Sequence, residues 1–570
     1  MSLPDFSSQQ RLFSVQGLLG PCFDHEDRFR IFAERIYPLL AAARRQLAEC
    51  YCQDNGRPGK EPVVLLGVSV LQFIERVSDA QAAELVKYHL GWKLALQLDP
   101  EPQSFHPTTL VYFRQRLLEH KQAKLAFDTV LHGLMEAGLV CKRGKQRLDS
   151  THVLGLVAQL SALDCVRETM RLALRELAGC QDLPRPPFWE RLWERYVESK
   201  VDYRAEAPVL QAKFLQTGQD MTLLAAWVRE AGGEAAAGKQ VQLLVRVLEE
   251  NFEQAPATPA TPAAPAAPAS AAAGEGAAGE GTLQRRTPRP AGSVQNPHDP
   301  EAVWCSKGKG EAKKSWVGYK AQVAETVESK ESRQDGEPTA AFLTAVVTQP
   351  ATGSEQAGMA KVLEEQKDSG LQGPSELFVD SGYVSAGAMH EAAQQGRELV
   401  GPALGAPGPK GFTAESFAVD VENRSAVCPQ GKSNSQCSRL EVKETGEVNF
   451  RFEWGRQCQA CPLRERCVGK NQAHRTLVVG EHHAILQERR KQMKTEAFGV
   501  RMRQRNAIEG THSELVRGHG LRQARYRGLE KVRLQNYLIG AACNAKRWIH
   551  RIVWDLRQSL RPALPAAAGD

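Results

Sequence analysis

Apolar and polar positions change period several times along the chain, and each change predicts an element. The run VVLLGVSVLQFIERV reads as a buried helix closed by Glu75 and Arg76. In SDAQAAELVKYHLGW, Ser78 and Gln81 have the spacing of a capping box, and Leu85, Tyr88 and Trp92 recur at helical intervals. A third helix opens in HPTTLVYFRQRL, with Thr108 near the cap and Arg114 and Arg116 expected on the exposed side. Short helices with a late basic pair suit a small nucleic-acid-reading domain, and they suit a plain helical bundle equally well.

The period then shortens to two. KQRLDSTHVLGLV alternates Leu148, Ser150 and His152 on one side with Asp149, Thr151 and Val153 on the other, a strand with a carboxylate in its middle. That alternation sets His152 on the face away from Asp149. Residues 160–252 read as helices, and the Pro/Ala then Gly/Ala tract after them has nothing to bury. Strand patterns resume at WVGYKAQVAETV and TAAFLTAVVTQP, a helix follows at SEQAGMAKVLEEQ, and ELFVDSGYVS is a strand ending in Asp380. A carboxylate at a strand's carboxyl end sits where open α/β sheets place their sites. Another helix, SAGAMHEAAQQG, precedes a strand at ELVGPA, then come a cysteine-bearing segment and long basic helices.

Composition narrows the class. At 570 residues the chain suggests roughly two to four domains. The start, MSLPDFSSQQRLFSVQG, is not a secretory signal, and the longest apolar run is too short for a bilayer. A cytoplasmic protein without membrane contact is expected. From Lys470 onward there are 20 Lys and Arg against 8 Asp and Glu, a net of +12, which leaves −5 for the rest of a chain totalling +7. Charge concentrated in this way reads as a nucleic-acid footprint or as a solvated basic helix.

Within that basic region stands RNAIEGTHSELVRGHGLRQARYRG, where Glu509 is surrounded by arginines. Arginines neutralise phosphates, but a carboxylate can hold Mg²⁺, which prefers hard oxygen ligands. Two-metal phosphodiester chemistry needs several carboxylates converging from different elements. Asp149, Asp380 and Glu509 supply three, although a Glu with Arg four residues earlier is also the pattern of a helix-surface ion pair.

RLDSTHV, FVDSGYVS and RNAIEGTHSELVRGHGLRQARYRG, in this order, resemble the three acidic blocks of DDE transposases of bacterial insertion sequences. EPVVLLGVSVLQFIERVSDAQAAELVKYHLGWKLAL with HPTTLVYFRQRL resembles the N-terminal domain common in those enzymes; GYKAQV and KVRLQNYLIGAACNAKRW extend the likeness. The resemblance implies an α/β, ribonuclease H-like mixed sheet with flanking helices, plus an all-α N-terminal domain and a cysteine-bearing insertion. It implies that Asp149, Asp380 and Glu509 are catalytic and bind two Mg²⁺ (or Mn²⁺) ions. The tyrosine–arginine–glutamate–lysine pattern matches in part: Arg505 has its spacing, Met502 replaces the tyrosine, and Val516 takes the lysine position beside Arg517.

On this reading the chain divides into a helical DNA-binding domain (1–135), the first strand of the catalytic core (140–160), a helical insertion (160–252) and a Pro/Ala/Gly-rich linker (253–296). The core continues (297–404), then come a cysteine-bearing insertion (405–475) and basic C-terminal core helices (476–560). Arg505, Arg517, Arg522, Arg525, Arg527 and Lys531 are the expected DNA contacts. The partners implied are double-stranded DNA, both element ends and target, and a second copy of the chain on that DNA. The alternative is a catalytically inactive DNA-binding or regulatory descendant.

Most of the 13 cysteines are scattered and expected to be reduced thiols. Cys458, Cys461 and Cys467, with Cys428 upstream, can complete a four-thiolate structural Zn²⁺ site, and Cys437 is a spare candidate. A metal-free cysteine-rich insertion accounts for the same residues.

Overall fold

The apolar run at Pro62–Glu75 (α1) forms a helix buried over most of its length, with Arg76 closing it at φ 58°. Asp79–Tyr88 (α2) opens on the Ser78/Gln81 capping box with both of its hydrogen bonds formed, and Thr108–Glu119 (α3) and Leu125–Glu136 (α4) complete this helical part. The computed structural model describes the chain from Val15 to Ser559, and Leu3, apart from residues 53–55, 57, 102–103, 181–182, 201–204, 256–282, 309, 328–336, 407–410 and 444–445.

Arg114 departs from the expected exposure: it is 6% exposed, paired with Asp79, with its guanidinium 5.0 Å from the Tyr526 ring centroid. Four residues after Leu110 and three before Leu117, it shares their buried stripe, and the Asp79 carboxylate offsets the charge.

Lys145–Leu154 (β1) starts the main sheet and is followed by the helices Ala162–Ala178 (α5), Ala207–Ala231 (α6) and Lys239–Asn251 (α7), which have a core of their own. The expected linker is shorter than its composition suggested. Phe252–Gln254 pairs with Leu283–Arg285, and Val294, Gln295 and Asn296 are buried, so the chain is packed again by residue 283. The Pro/Ala tract itself lies outside the described residues.

Val303–Lys307 (β2), Lys314–Thr326 (β3) and Leu343–Pro350 (β4) follow, then the helix Glu355–Asp368 (α8) and the strands Glu376–Phe378 (β5) and Glu398–Val400 (β6). β3 lies antiparallel to β1 on one side; on its other side β2 pairs with its first half and β4 with its second. β5 continues parallel to β1 on the far side, and β6 parallel to β5. The result is a curled mixed α/β sheet.

Cys428 to Gly480 belongs to a small module with its own core around Phe417, Phe452 and Trp454. Thr476–Gly480 pairs with Val448–Glu453, so the module runs to residue 480 rather than 475. Ile508–His519 (α9) and the 31-residue Leu529–Ser559 (α10) close the described chain. α10 packs on β4, where the Asn544 side chain bonds both the N–H and the carbonyl of Leu343, and also on α1 and α4. One hydrophobic core therefore joins the N-terminal helices, the sheet and α10. The N-terminal helices are not a separate module. Among the described residues no helix is long and apolar enough to cross a membrane.

Candidate active site

Asp149 and Asp380 stand at one level. The parallel pairing of β1 with β5 ends at Arg147 opposite Phe378, and each acid lies two residues further on. Past that point the pairing stops, and the carboxyl ends of two parallel strands leave room for a ligand. Asp149 is 5% exposed; its Oδ1 accepts from the Ser150 N–H at 2.8 Å and its Oδ2 from Arg505 Nη2 at 2.7 Å. Burial pushes its carboxyl up to about 6, against the pull of Arg505, and the negative charge of Asp380 adds to the rise. Asp380 accepts the Gly382 N–H at 2.8 Å. A Cβ on Gly382 would lie 3.1 Å from that same Asp380 oxygen and 3.2 Å from Glu355 Cγ, so glycine lets the turn close against both acids.

Glu509 is exposed in the first turn of α9 and lines the same cavity as Asp149, about 490 Å³ in volume. α9 is fixed by Glu325, wholly buried on β3, whose carboxylate accepts Arg147 Nε at 2.6 Å, Thr511 Oγ1 at 2.7 Å and Arg547 Nη1 at 2.9 Å. This ionic knot ties β1, β3, α9 and α10 together, and α9 carries Glu509. Nothing in AETV marks Glu325 for that role, because its partners are distant in sequence.

Glu355 was also missed. It heads α8, lines the cavity, and accepts Ser150 Oγ at 3.0 Å, Lys320 Nζ at 2.9 Å and Gln322 Nε2 at 2.7 Å. Burial opposes its ionisation, but the bonds from Gln322 and Lys320 hold its carboxyl below the usual range. In sequence it looks like an ordinary first-turn acid behind the Ser354 cap.

His152 stands on the face of β1 away from Asp149, as the alternation expects, and still lines the cavity, with its ring centroid 5.2 Å from that of Trp316. The cavity wraps the end of β1 and takes residues from both faces. Burial and the nearby Arg522 push His152 down to about 4, and burial pushes His512 down to about 4 as well. Both rings are neutral at pH 7.

The basic residues separate into two groups. Arg505 binds Asp149, Arg522 donates to the His152 carbonyl at 2.6 Å, and Arg525 donates to the Val77 carbonyl at 2.9 Å while its guanidinium sits 4.7 Å from the Phe73 ring centroid. These three hold the fold together. Arg517, Arg527 and Lys531 are exposed.

Cys428, Cys458, Cys461 and Cys467 line one small pocket of about 30 Å³. Burial pushes the Cys467 thiol up, and the other three are near enough to act on it. Cys437 is not among the lining residues. Among the described residues no three of these sulfurs lie within 4.8 Å of one another. Glu514, His519 and Cys543 do meet that distance, but Arg547 already donates to Glu514 at 2.7 Å and the Cys543 thiol is pushed up to about 12 by burial. A second cation there would face the guanidinium.

With the geometry in place, two family matches bear on the chain. The Transposase DDE domain matches residues 427–549, which takes in the cysteine module and Glu509 and leaves Asp149 and Asp380 outside. A transposase domain of the DUF772 type matches residues 20–116, the N-terminal helices. No curated protein matches the chain. Both matched stretches are similar to transposase domains, and together they indicate a DDE-type transposase of the insertion-sequence type.

Proposed function

We propose that this chain binds the ends of its own mobile element, cuts DNA there and joins the freed ends to target DNA in a Mg²⁺-dependent (or Mn²⁺-dependent) reaction. The observation that carries this is the level pair Asp149 and Asp380, with Glu509 lining the cavity beside Asp149; Asp380 is not among the residues that line it. The strand order and directions support a ribonuclease H-like core, with acids on β1, just after β5 and on α9. Two divalent ions held by Asp149, Asp380 and Glu509 would supply charge stabilisation for the attacking and leaving oxygens.

The chain's own residues do the rest. Glu355 fixes Ser150 beside Asp149, and Gly382 holds Asp380 in its turn. Lys307, Lys314 and Lys320 line the cavity and balance the phosphate that enters. Neutral His152 and His512 add no charge to oppose a metal. The exposed Arg517, Arg527 and Lys531 are placed to meet phosphates outside the cavity, which position DNA without reading it. A non-catalytic descendant would have no need to keep Asp380 level with Asp149 and Glu509 on the Asp149 cavity. The test is cleavage of a labelled element end with Mg²⁺ by Asp149→Asn, Asp380→Asn and Glu509→Gln: each should lose cleavage and keep end binding, and near-normal cleavage by one variant removes that residue.

We further infer that Cys428, Cys458, Cys461 and Cys467 hold a structural Zn²⁺. Their common small pocket and thiolate chemistry fit that ion. Zn–S bonds of about 2.3 Å need sulfurs about 3.8 Å apart, so the four must draw inward on binding. A closed four-thiolate site would leave no open position for chemistry.

A further inference from the structure

We propose that the inserted helical domain grips the phosphate backbone of duplex DNA, without reading sequence, in a cleft lined by Arg167, Arg191, Arg195, Lys200 and Lys213. The proposal rests on the reading of the chain as an enzyme acting on DNA. It adds a binding surface far in sequence from the basic C-terminal helices.

Charge in this domain is segregated rather than abundant. Residues 160–252 contain 12 Lys and Arg against 14 Asp and Glu, a net of −2. Yet five cations and one acid, Glu194, line the cleft, which encloses about 600 Å³. A cleft with walls of one sign focuses its field and concentrates a counter-charged ligand. The cations come from separate elements: Arg167 from α5, Arg191 and Arg195 from the helical turns at 189–198, and Lys213 from α6. A solvated charge run along one helix face would not bring them together.

The floor of the cleft is also built. Asp220, 3% exposed, accepts Arg195 Nη1 at 2.5 Å and the Tyr196 hydroxyl at 2.6 Å. Arg167 donates to the Arg195 carbonyl at 2.7 Å, with its guanidinium 4.9 Å from the Tyr196 ring centroid. Two guanidinium groups are thus held in place before any ligand arrives, while Arg195 keeps 36% of its side-chain surface open. Arg191 and Lys200 are exposed at the rim, and Lys213 is half-buried. Preset arginine forks flanked by mobile ammonium groups suit successive phosphate oxygens. Phosphate contacts of this kind carry no sequence information, so either element ends or target DNA can supply the ligand.

The test uses the full chain in an Asp149→Asn background, so that cleavage does not consume the probe. Fluorescence anisotropy compares a labelled duplex carrying the element's terminal repeat with one of scrambled sequence over a range of salt. Adding Arg191→Ala, Lys200→Ala and Lys213→Ala together should weaken binding to both duplexes and reduce the salt slope by about 0.9 per lost phosphate contact, close to 3 for the triple variant. The charge-keeping triple Arg191→Lys, Lys200→Arg and Lys213→Arg should retain the slope. Unchanged affinity and slope in the alanine variant, with the parent binding normally, would overturn the cleft and leave the transposase reading standing. A loss confined to one duplex overturns the sequence-independent grip, and an equal loss in the charge-keeping triple assigns the effect to packing. A parent that binds neither duplex refutes the DNA reading and the cleft together.

Discussion

Arg505 Nη2 lies 2.7 Å from Asp149 Oδ2, so the arginine closest in spacing to Glu509 neutralises the first acid instead of facing open solvent. Its side chain is only 17% exposed and that of Asp149 7%. A metal ion binding Asp149 through Oδ2 must displace this guanidinium. The arginine-rich setting of Glu509 thus divides in two: Arg505, Arg522 and Arg525 are bonded within the fold, and Arg517 and Arg527 stay exposed.

Metal binding should therefore respond to Arg505 in a pH-dependent way. Above the Asp149 value of about 6, Arg505→Ala removes a competitor and should tighten Mn²⁺ binding by roughly tenfold, the scale of one charge-assisted hydrogen bond. Below it, the carboxyl is protonated and holds the guanidinium weakly, so the gain should shrink toward zero. Calorimetric titration of DNA-free protein at pH 8 and pH 5 reads the difference. No gain at pH 8, or an equal gain at both pH values, would rule out the competition.

Stability of the metal-free protein should carry the mark of Asp149. Its carboxyl is raised in the fold from 3.8 to about 6, so the fold favours the neutral form. The stability from this group is fully present below about pH 3.8 and is lost as pH rises through 6, about 3 kcal/mol in all. Asp149→Asn should gain on the wild type by up to that amount between pH 4 and pH 7. Denaturant unfolding in EDTA measures the difference, and a gap that does not change with pH would contradict the burial argument.

Glu509→Gln and Glu325→Gln should separate chemistry from structure. Glu509 is exposed, so its glutamine variant should melt within about 1 kcal/mol of wild type and bind DNA equally or slightly more tightly without metal, losing only cleavage. Glu325 is wholly buried among Arg147, Arg547 and Thr511, so its glutamine variant should cost about 3 kcal/mol or more. Thermal melts beside metal-free binding decide this. A collapse of stability in Glu509→Gln would return that residue to a structural role.

Removing zinc should unfold the cysteine module before the rest. Its core is a small cluster around Phe417, Phe452 and Trp454, and small domains of this kind usually depend on a staple. Chelation, or Cys461→Ser, should release one zinc per chain by elemental analysis and expose the module to limited proteolysis, while Cys437→Ser should do neither. Metal-free protein with the module intact would establish the cysteines as simple packing.

Shortening the Pro/Ala tract should leave the fold nearly unchanged. The tract's flanks are joined at Gln254 and Leu283, so a short turn can replace most of the residues between them. A deletion within Ala255 to Gly281 should shift the melting temperature by a few degrees at most, and a large fall would show that the tract packs on the protein.

What the sequence determined by itself were features written in local pattern. The α2 capping box, the β1 alternation, the strand ending before Asp380 and the cysteine spacing all follow from periods and neighbours within a few residues. What only the tertiary structure decided were pairings across hundreds of residues. It joined the N-terminal helices to the main sheet in one core, turned Arg114 inward to Asp79, and set Arg505 on Asp149. It brought Glu355 and His152 to the cavity, made Glu325 the centre of an ionic knot, and gathered five cations from a net-negative domain into one cleft. The physical reason is that burial and Coulomb energy depend on distance in space, whereas propensity and periodicity depend only on distance along the chain.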